Sequence, residues 1–120
     1  FSAFFDADDT TNEAGKAFVE GFKAWVAEDN TRIENNGGTA DAISSVTPCG
    51  YDAYMAAVNA IEAANSTEGP AIRDALASLN VPGLITGDLS FDENGDAVKT
   101  YAVIKTIKDG QIVYFSTYNG

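Results

Sequence analysis

The chain has 120 residues, a hydrophobic content of 45% and a formal charge of −11, from 18 Asp and Glu against 7 Lys and Arg. Its length suits one domain and its apolar fraction a packed core, while its negative charge opposes binding to nucleic acid phosphates or to an anionic membrane surface. With no His and a single cysteine, Cys49, it can form no internal disulfide, no His-based or multi-Cys metal site, and neither a Ser-His-Asp nor a Cys-His nucleophile.

The opening residues, Phe1-Ser2-Ala3-Phe4-Phe5, read as a strand already under way. They lack an initiating Met and a basic-then-apolar signal segment, so the expectation is a processed or trimmed fragment. Asp6 to Asn12 is a polar break, and Thr10 with Glu13 three residues later matches a capping box that starts a helix. Ala14, Phe18, Phe22, Trp25 and Val26 then line one helical face, with Lys16, Glu20, Lys23 and Glu28 largely off it. Trp25 on that face reads as a core anchor.

From Asp29 to Thr47 the composition turns to Asn, Thr, Gly and Ser around Asn35-Asn36-Gly37-Gly38, which predicts a loop. Thr39 to Ser45 fits a short helical turn and Ile43 to Val46 a short strand, and the pattern accommodates either. Pro48-Cys49-Gly50 is expected to end the extended segment just ahead of a helix. That helix, Tyr51 to Ala64, is rich in Ala and places Tyr51, Tyr54, Met55, Val58 and Ile61 on one stripe, which predicts that it is largely buried. Asn65-Ser66-Thr67 ends it. Pro70 then falls in the first turn of a shorter amphipathic helix carrying Ile72, Ala75, Leu76 and Leu79, and Val81-Pro82-Gly83 stops that one.

From Gly83 onward the signal is strand. Leu89 and Phe91 alternate with Asp88 and Ser90, and Asp92-Glu93-Asn94-Gly95-Asp96 supplies the turn to a β-rich run from Val98 to Ile107. The Asp109-Gly110 pair before Ile112-Val113-Tyr114-Phe115 is a hairpin signal, so the C-terminal third reads as an antiparallel meander. Lys99, Lys105 and Lys108 against Asp109 alone make residues 97–120 mildly basic. They read as solvent-facing residues that discourage edge pairing.

The motifs with chemical potential fail on spacing. A calcium loop counted from Asp92 needs Gly at its sixth position and an acid at its twelfth, but Ala97 and Val103 stand there. Gly83, Gly87 and Gly95 do not have the spacing of a phosphate-cradling loop. Nothing near Cys49 in the sequence marks a lowered thiol pKa. The carboxylates single out no acid–base pair, so the sequence reads as a non-enzyme without a cofactor.

Three features recur in one known order: Gly50-Tyr51-Asp52-Ala53 opening an Ala-rich helix, Ile85-Thr86-Gly87-Asp88-Leu89-Ser90-Phe91-Asp92-Glu93-Asn94-Gly95-Asp96, and a hairpin closing on Asp-Gly. In that order the chain resembles the C-terminal part of the type I periplasmic binding proteins, the branched-chain amino-acid receptors of ABC transporters. The resemblance implies an α/β fold class, with three helices plus a C-terminal antiparallel strand meander. It implies a single fragment, 1–120, forming the C-terminal third of a two-lobed parent, with residues 1–9 and 112–120 near the crossovers between lobes. It further implies capture of an amino acid or similar small polar solute in the periplasm or at the extracellular cell surface, from a parent that could carry a lipid anchor, and delivery to an ABC permease.

By the same resemblance Cys49, Gly50 and Tyr51 edge the ligand cleft. A loop feeding a helix N-terminus, with free backbone N–H groups, would suit a ligand carboxylate there. The branched-chain receptors commonly carry an aromatic near the position of Cys49, and this sequence departs from them at that point. The principal ligand-clamping residues of the family lie in earlier parts of the chain. A fragment without its neighbours is also expected to self-associate. The reading from a different class is a stand-alone secreted interaction module whose exposed sheet edges pair with a partner or a second copy.

Overall fold

The computed structural model describes residues 2–120; Phe1, the first residue of the expected opening strand, lies outside the described residues. The element order is β1 (Ser2–Ala3), α1 (Glu13–Ala27), α2 (Asn30–Asn35), α3 (Thr47–Ala64), α4 (Gly69–Ala77), β2 (Asn80–Val81), β3 (Leu89–Phe91), β4 (Ala97–Val98), β5 (Tyr101–Lys108) and β6 (Gln111–Asn119). Two antiparallel sheets form, ordered β1-β5-β6 and β2-β3-β4. Helix and antiparallel strand therefore combine as expected, with four helices among the described residues in place of three.

Helix α1 is capped by Asn12, whose side chain accepts from the Gly15 N–H at 2.7 Å, and not by Thr10. A long-range contact selects this cap: the Asn12 amide also donates to the Ile85 carbonyl at 2.8 Å, fixing the start of α1 against the distant 85 turn. Glu13 then lies inside the first turn, paired with Lys16. The expected anchor Trp25 is 52% exposed, and Val26 is buried in its place. The cause is α2, which occupies part of the expected loop. Asp29 caps it by accepting from the Thr31 and Arg32 N–H groups. The turn brings the Arg32 guanidinium to 4.3 Å from the Trp25 ring centre, a cation–π contact that holds Trp25 outside the core. Residues 39–46 form neither of the expected elements; the Asn36 side chain ties them down by donating to the Thr39 and Ala42 carbonyls.

Helix α3 starts at Thr47, so Pro48-Cys49-Gly50 make its first turn and do not precede it. Proline fits there because its missing N–H would be unpaired anyway. The expected buried stripe is also corrected. Tyr51, Tyr54 and Ile61 are exposed, and the buried face is Pro48, Asp52, Ala56 and Ala60, one residue per turn. Small side chains let α3 sit close to its neighbours, and the aromatic residues are displaced outward. Ala56 packs with Val81, Leu84 and Leu89, flanked by Met55, Leu79 and Phe91. Asn65, in the left-handed region at φ 45°, ends α3 and starts the turn into α4, which carries Pro70 in its first turn.

The strands do not make one continuous meander. Strands β3 and β4 meet at the Asp92–Asp96 turn, where the Asp92 carboxylate accepts from the Asn94 and Asp96 N–H groups, and there the first sheet ends. Lys99 and Thr100 carry the chain to the second sheet. Its hairpin turns at Asp109 and Gly110, both with positive φ (52° and 76°), as a two-residue type I′ turn requires. The pairing slips between Ile104↔Ser116 and Lys105↔Tyr114, which leaves Phe115 as the extra residue of a bulge. Gly87, at φ +86°, lies where a Cβ would come within 2.8 Å of the Tyr101 Cβ, so the two sheets approach through a position only glycine can fill.

One carboxylate fastens the second sheet to the segment before α1. Asp9 is 3% exposed. Its Oδ1 accepts from the Thr11 N–H and hydroxyl, and its Oδ2 from the Tyr101 hydroxyl of β5 at 2.5 Å and the Thr117 hydroxyl of β6 at 2.9 Å. Burial is the largest single influence and pushes the Asp9 carboxyl up, but the hydrogen bonds from Thr11, Tyr101 and Thr117 together outweigh it and hold it below the ordinary 3.8. Burial, reinforced by Asp9, pushes the Tyr101 phenol up to about 12, so it stays protonated as the donor. A carboxylate with a depressed folded pKa stabilises the fold fully above the unfolded value and loses that contribution as pH falls through the folded one. In urea unfolding, the stability gap between wild type and Asp9→Asn is accordingly widest at pH 7 and closes towards pH 2; a gap independent of pH would contradict this assignment.

Candidate functional site

The first two turns of α3 face the Leu84–Gly87 turn, and a buried carboxylate joins them. Asp52 is 4% exposed and Thr86 3%. Oδ1 of Asp52 accepts from the Ile85 N–H at 3.0 Å, and Oδ2 from the Thr86 N–H at 2.9 Å and the Thr86 hydroxyl at 2.6 Å. The Lys99 ammonium donates to the same Thr86 hydroxyl at 2.8 Å. A buried carboxylate is tolerable only with its lone pairs occupied, and here two backbone donors and one hydroxyl occupy them, with a cation one atom further out. The arrangement fixes the angle of α3 against both the 84–87 turn and the strand that follows.

Two hollows flank α3. One, of about 480 Å³, is lined by Cys49, Asp52 and Ala53 of α3, by Leu76 of α4, and by Phe4, Thr86, Phe91 and Lys99. The other, of about 820 Å³, lies between α1, α3 and residues 81–85, with Phe18, Phe22, Tyr51, Met55 and Ile85 among its walls. Tyr51 stands 5.8 Å, ring centre to ring centre, from Phe18.

The three residues expected at a cleft edge are consecutive on a helix and so point about 100° apart. Cys49 lines the first hollow, Tyr51 the second, and Gly50 neither; Gly50 is exposed on the ridge between them, and a Cβ there would meet nothing within 4 Å. The expectation of free N–H groups in a loop at this point is corrected. Cys49 already belongs to the helix and its N–H donates to the Val46 carbonyl, as the Thr47 N–H does to Ser44. Burial pushes the Cys49 thiol up, and the Asp52 carboxylate adds to the shift while Lys99 opposes it, so the thiol is a poor nucleophile at neutral pH.

In the sequence Asp52 and Thr86 served only as letters in motifs, and the solvent-facing reading of Lys99 and Lys105 is corrected: Lys99 is half-buried on Thr86 and Lys105 is paired with Asp6. Asp52 did leave a signal: it is a charged residue at four-residue spacing with Pro48, Ala56 and Ala60, the spacing of a buried face. Thr86 and Lys99 left none, because Thr86 meets Asp52 across 34 residues and Lys99 acts only through Thr86. Asp52→Asn keeps the shape but replaces a two-oxygen acceptor with one oxygen and an unwanted donor. It is expected to cost about 3 kcal/mol in chemical denaturation, the usual scale for stranding buried donors. A loss below about 1 kcal/mol would show that the bonds to Ile85 and Thr86 are dispensable.

Comparisons with known proteins agree with one another. The model of the receptor family ligand binding region matches residues 1–109. Among solved structures, the chain is similar to the leucine-binding protein LivK from Thermotoga maritima, with a TM-score of 0.63 and 28% identity over 99% of this chain and 30% of that protein. The chain thus spans 30% of the length of the solved structure it matches. No curated protein sequence matches it significantly.

Proposed function

Because the chain belongs to the receptor family ligand binding region, the type I periplasmic binding proteins with their branched-chain amino-acid receptors, we propose that its parent is the substrate-binding component of an ABC importer. The observation that carries this reading is the family match over residues 1–109, joined to the likeness to a leucine-binding protein along 99% of the chain. The parent captures an amino acid or similar small polar solute in the periplasm or at the extracellular cell surface and passes it to an ABC permease. It acts by binding and release, in keeping with a family and a structural neighbour that are binding proteins.

Within the parent, the first turn of α3 is the cleft edge. Its position supports that role: Cys49 and Tyr51 reach into hollows on either side, and between them Gly50 leaves the backbone bare. Gly50 lies in the first turn of α3, and among the described residues nothing occupies the space a side chain there would take. A close approach by a ligand or by the opposing lobe accounts for it.

Isothermal titration of the full-length parent with a panel of amino acids tests the reading. At least one amino acid is expected to bind, and no heat with any of them would overturn it. In the same assay Gly50→Leu is expected to weaken binding at least tenfold with no loss of thermal stability; unchanged affinity would place the cleft edge elsewhere.

The isolated chain is proposed to self-associate as well. Ile107, Ile112 and Phe115 are 70%, 61% and 68% exposed on the β5–β6 hairpin, a large apolar surface for a free monomer. Light scattering at high protein concentration is expected to give a mass above that of one 12.6 kDa chain, and a strictly monomeric mass would contradict it.

A further inference from the structure

The Asp9 carboxylate does more than fill a buried site, because its partners lie on three separate parts of the chain. Thr11 belongs to the segment entering α1, Tyr101 to β5 and Thr117 to β6. The Tyr114 hydroxyl, 2.9 Å from that of Thr117, extends the chain of hydrogen bonds along β6. Beside it Lys105 of β5 pairs with Asp6 at 2.7 Å, with both side chains largely buried.

The molecule is extended about this point. Its radius of gyration is 16.3 Å and its extents 49 × 37 × 22 Å, against about 14 Å for a compact chain of this length. The β1-β5-β6 ribbon carries β1 on one side and the long β5–β6 hairpin on the other, while the helices pack with the separate β2-β3-β4 sheet. The ribbon meets the helical body through few polar ties. They include the Asp9 cluster, the Lys105–Asp6 pair and, just before β5, the Lys99–Thr86 bond, and Gly87 adds a close steric approach to Tyr101.

We propose that Asp9 is a positioning residue that sets the angle between the β1-β5-β6 ribbon and the helical body, and so the balance between open and closed forms of the receptor. The proposal rests on the reading above, in which residues 1–9 and 112–120 run near the crossovers between lobes. A single carboxylate then holds the end of one crossover and the middle of the other to β5. Two short hydroxyl bonds on one carboxylate oxygen define a direction as well as a distance, because each is strongest only when β5 and β6 keep their relative placement. Releasing either one frees the ribbon to swing about the 9–12 segment without touching any residue of the proposed cleft edge. Such a swing changes affinity by redistributing open and closed forms.

The test uses Tyr101→Phe and Thr117→Val, singly and together, which remove the two cross-strand donors and leave the carboxylate. Spin labels on cysteines placed at Glu62 of α3 and Lys108 at the hairpin tip, both exposed, report the angle in a Cys49→Ala background. In the full-length parent the wild type is expected to give one narrow distance distribution, and the double variant one that is broadened or shifted by several ångströms. Leu84→Ala, which destabilises the core away from the cluster, is expected to lower the melting temperature and leave the distances unchanged.

In the full-length parent, titrated with whichever amino acid binds the wild type, the double variant is expected to change affinity by three- to tenfold. Unchanged distances overturn the proposal, as do altered distances with unchanged affinity, or equal broadening by Leu84→Ala. A wild-type parent that binds no amino acid overturns the receptor reading instead, and the distance measurement still decides the structural half of the inference.

Discussion

A carboxylate removed from water must find donors for its lone pairs, and in this chain that requirement decides where the main helix lies. Asp52 sits on the one face of α3 that is otherwise proline and alanine, and its donors come from the Leu84–Gly87 turn, two backbone N–H groups and the Thr86 hydroxyl. Meeting them draws α3 against the turn closely enough that Ala56 can pack on Val81, Leu84 and Leu89. Larger residues on that face would hold the elements apart and strand the carboxylate. The Ala-rich composition of α3 is thus a steric condition for the hydrogen bonds as much as a source of helix propensity. Lys99 completes the arrangement from the strand side through Thr86, so helix, turn and the connection between the sheets are set by one group of contacts.

Asp9 applies the same physics at the other end of the molecule. There the donors are hydroxyls on two neighbouring strands, and the carboxylate joins segments more than ninety residues apart in sequence. The two buried carboxylates divide the labour: Asp52 organises the helical body that presents the proposed cleft edge, and Asp9 orients the ribbon that leaves it. Between them, Gly87 and Tyr101 bring body and ribbon to the closest approach a glycine allows.

Local chemistry was legible in the sequence wherever it was self-sufficient. The Asp92–Asp96 turn and the Asp109-Gly110 hairpin need only their own residues to form, and both appear where expected. The order of motifs from Tyr51 to the hairpin was enough to point to the family, which the match over residues 1–109 shows. What failed was every inference that required knowing a distant partner. Thr10 lost the cap to Asn12 because Ile85 supplies a second bond to the asparagine. Trp25 left the core because α2 brought Arg32 beneath it, and the aromatic stripe of α3 gave way to Ala once the carboxylate demanded close packing. For the site, Cys49, Gly50 and Tyr51 could be named from the motif, but their separation onto a ridge between two hollows follows only from α3 starting at Thr47.

In the receptor reading, a rigid helix end held by a buried carboxylate is what a binding cleft needs, since each residue kept in place before the ligand arrives is one that binding does not have to order. Hydrogen exchange on the full-length parent, with and without an amino acid that binds it, tests this most directly. The account predicts that the amides of Thr47 and of residues 49–52 gain protection on binding, while those of the Asp109-Gly110 turn do not. Ligand binding that leaves residues 47–52 unchanged and protects other segments would contradict it.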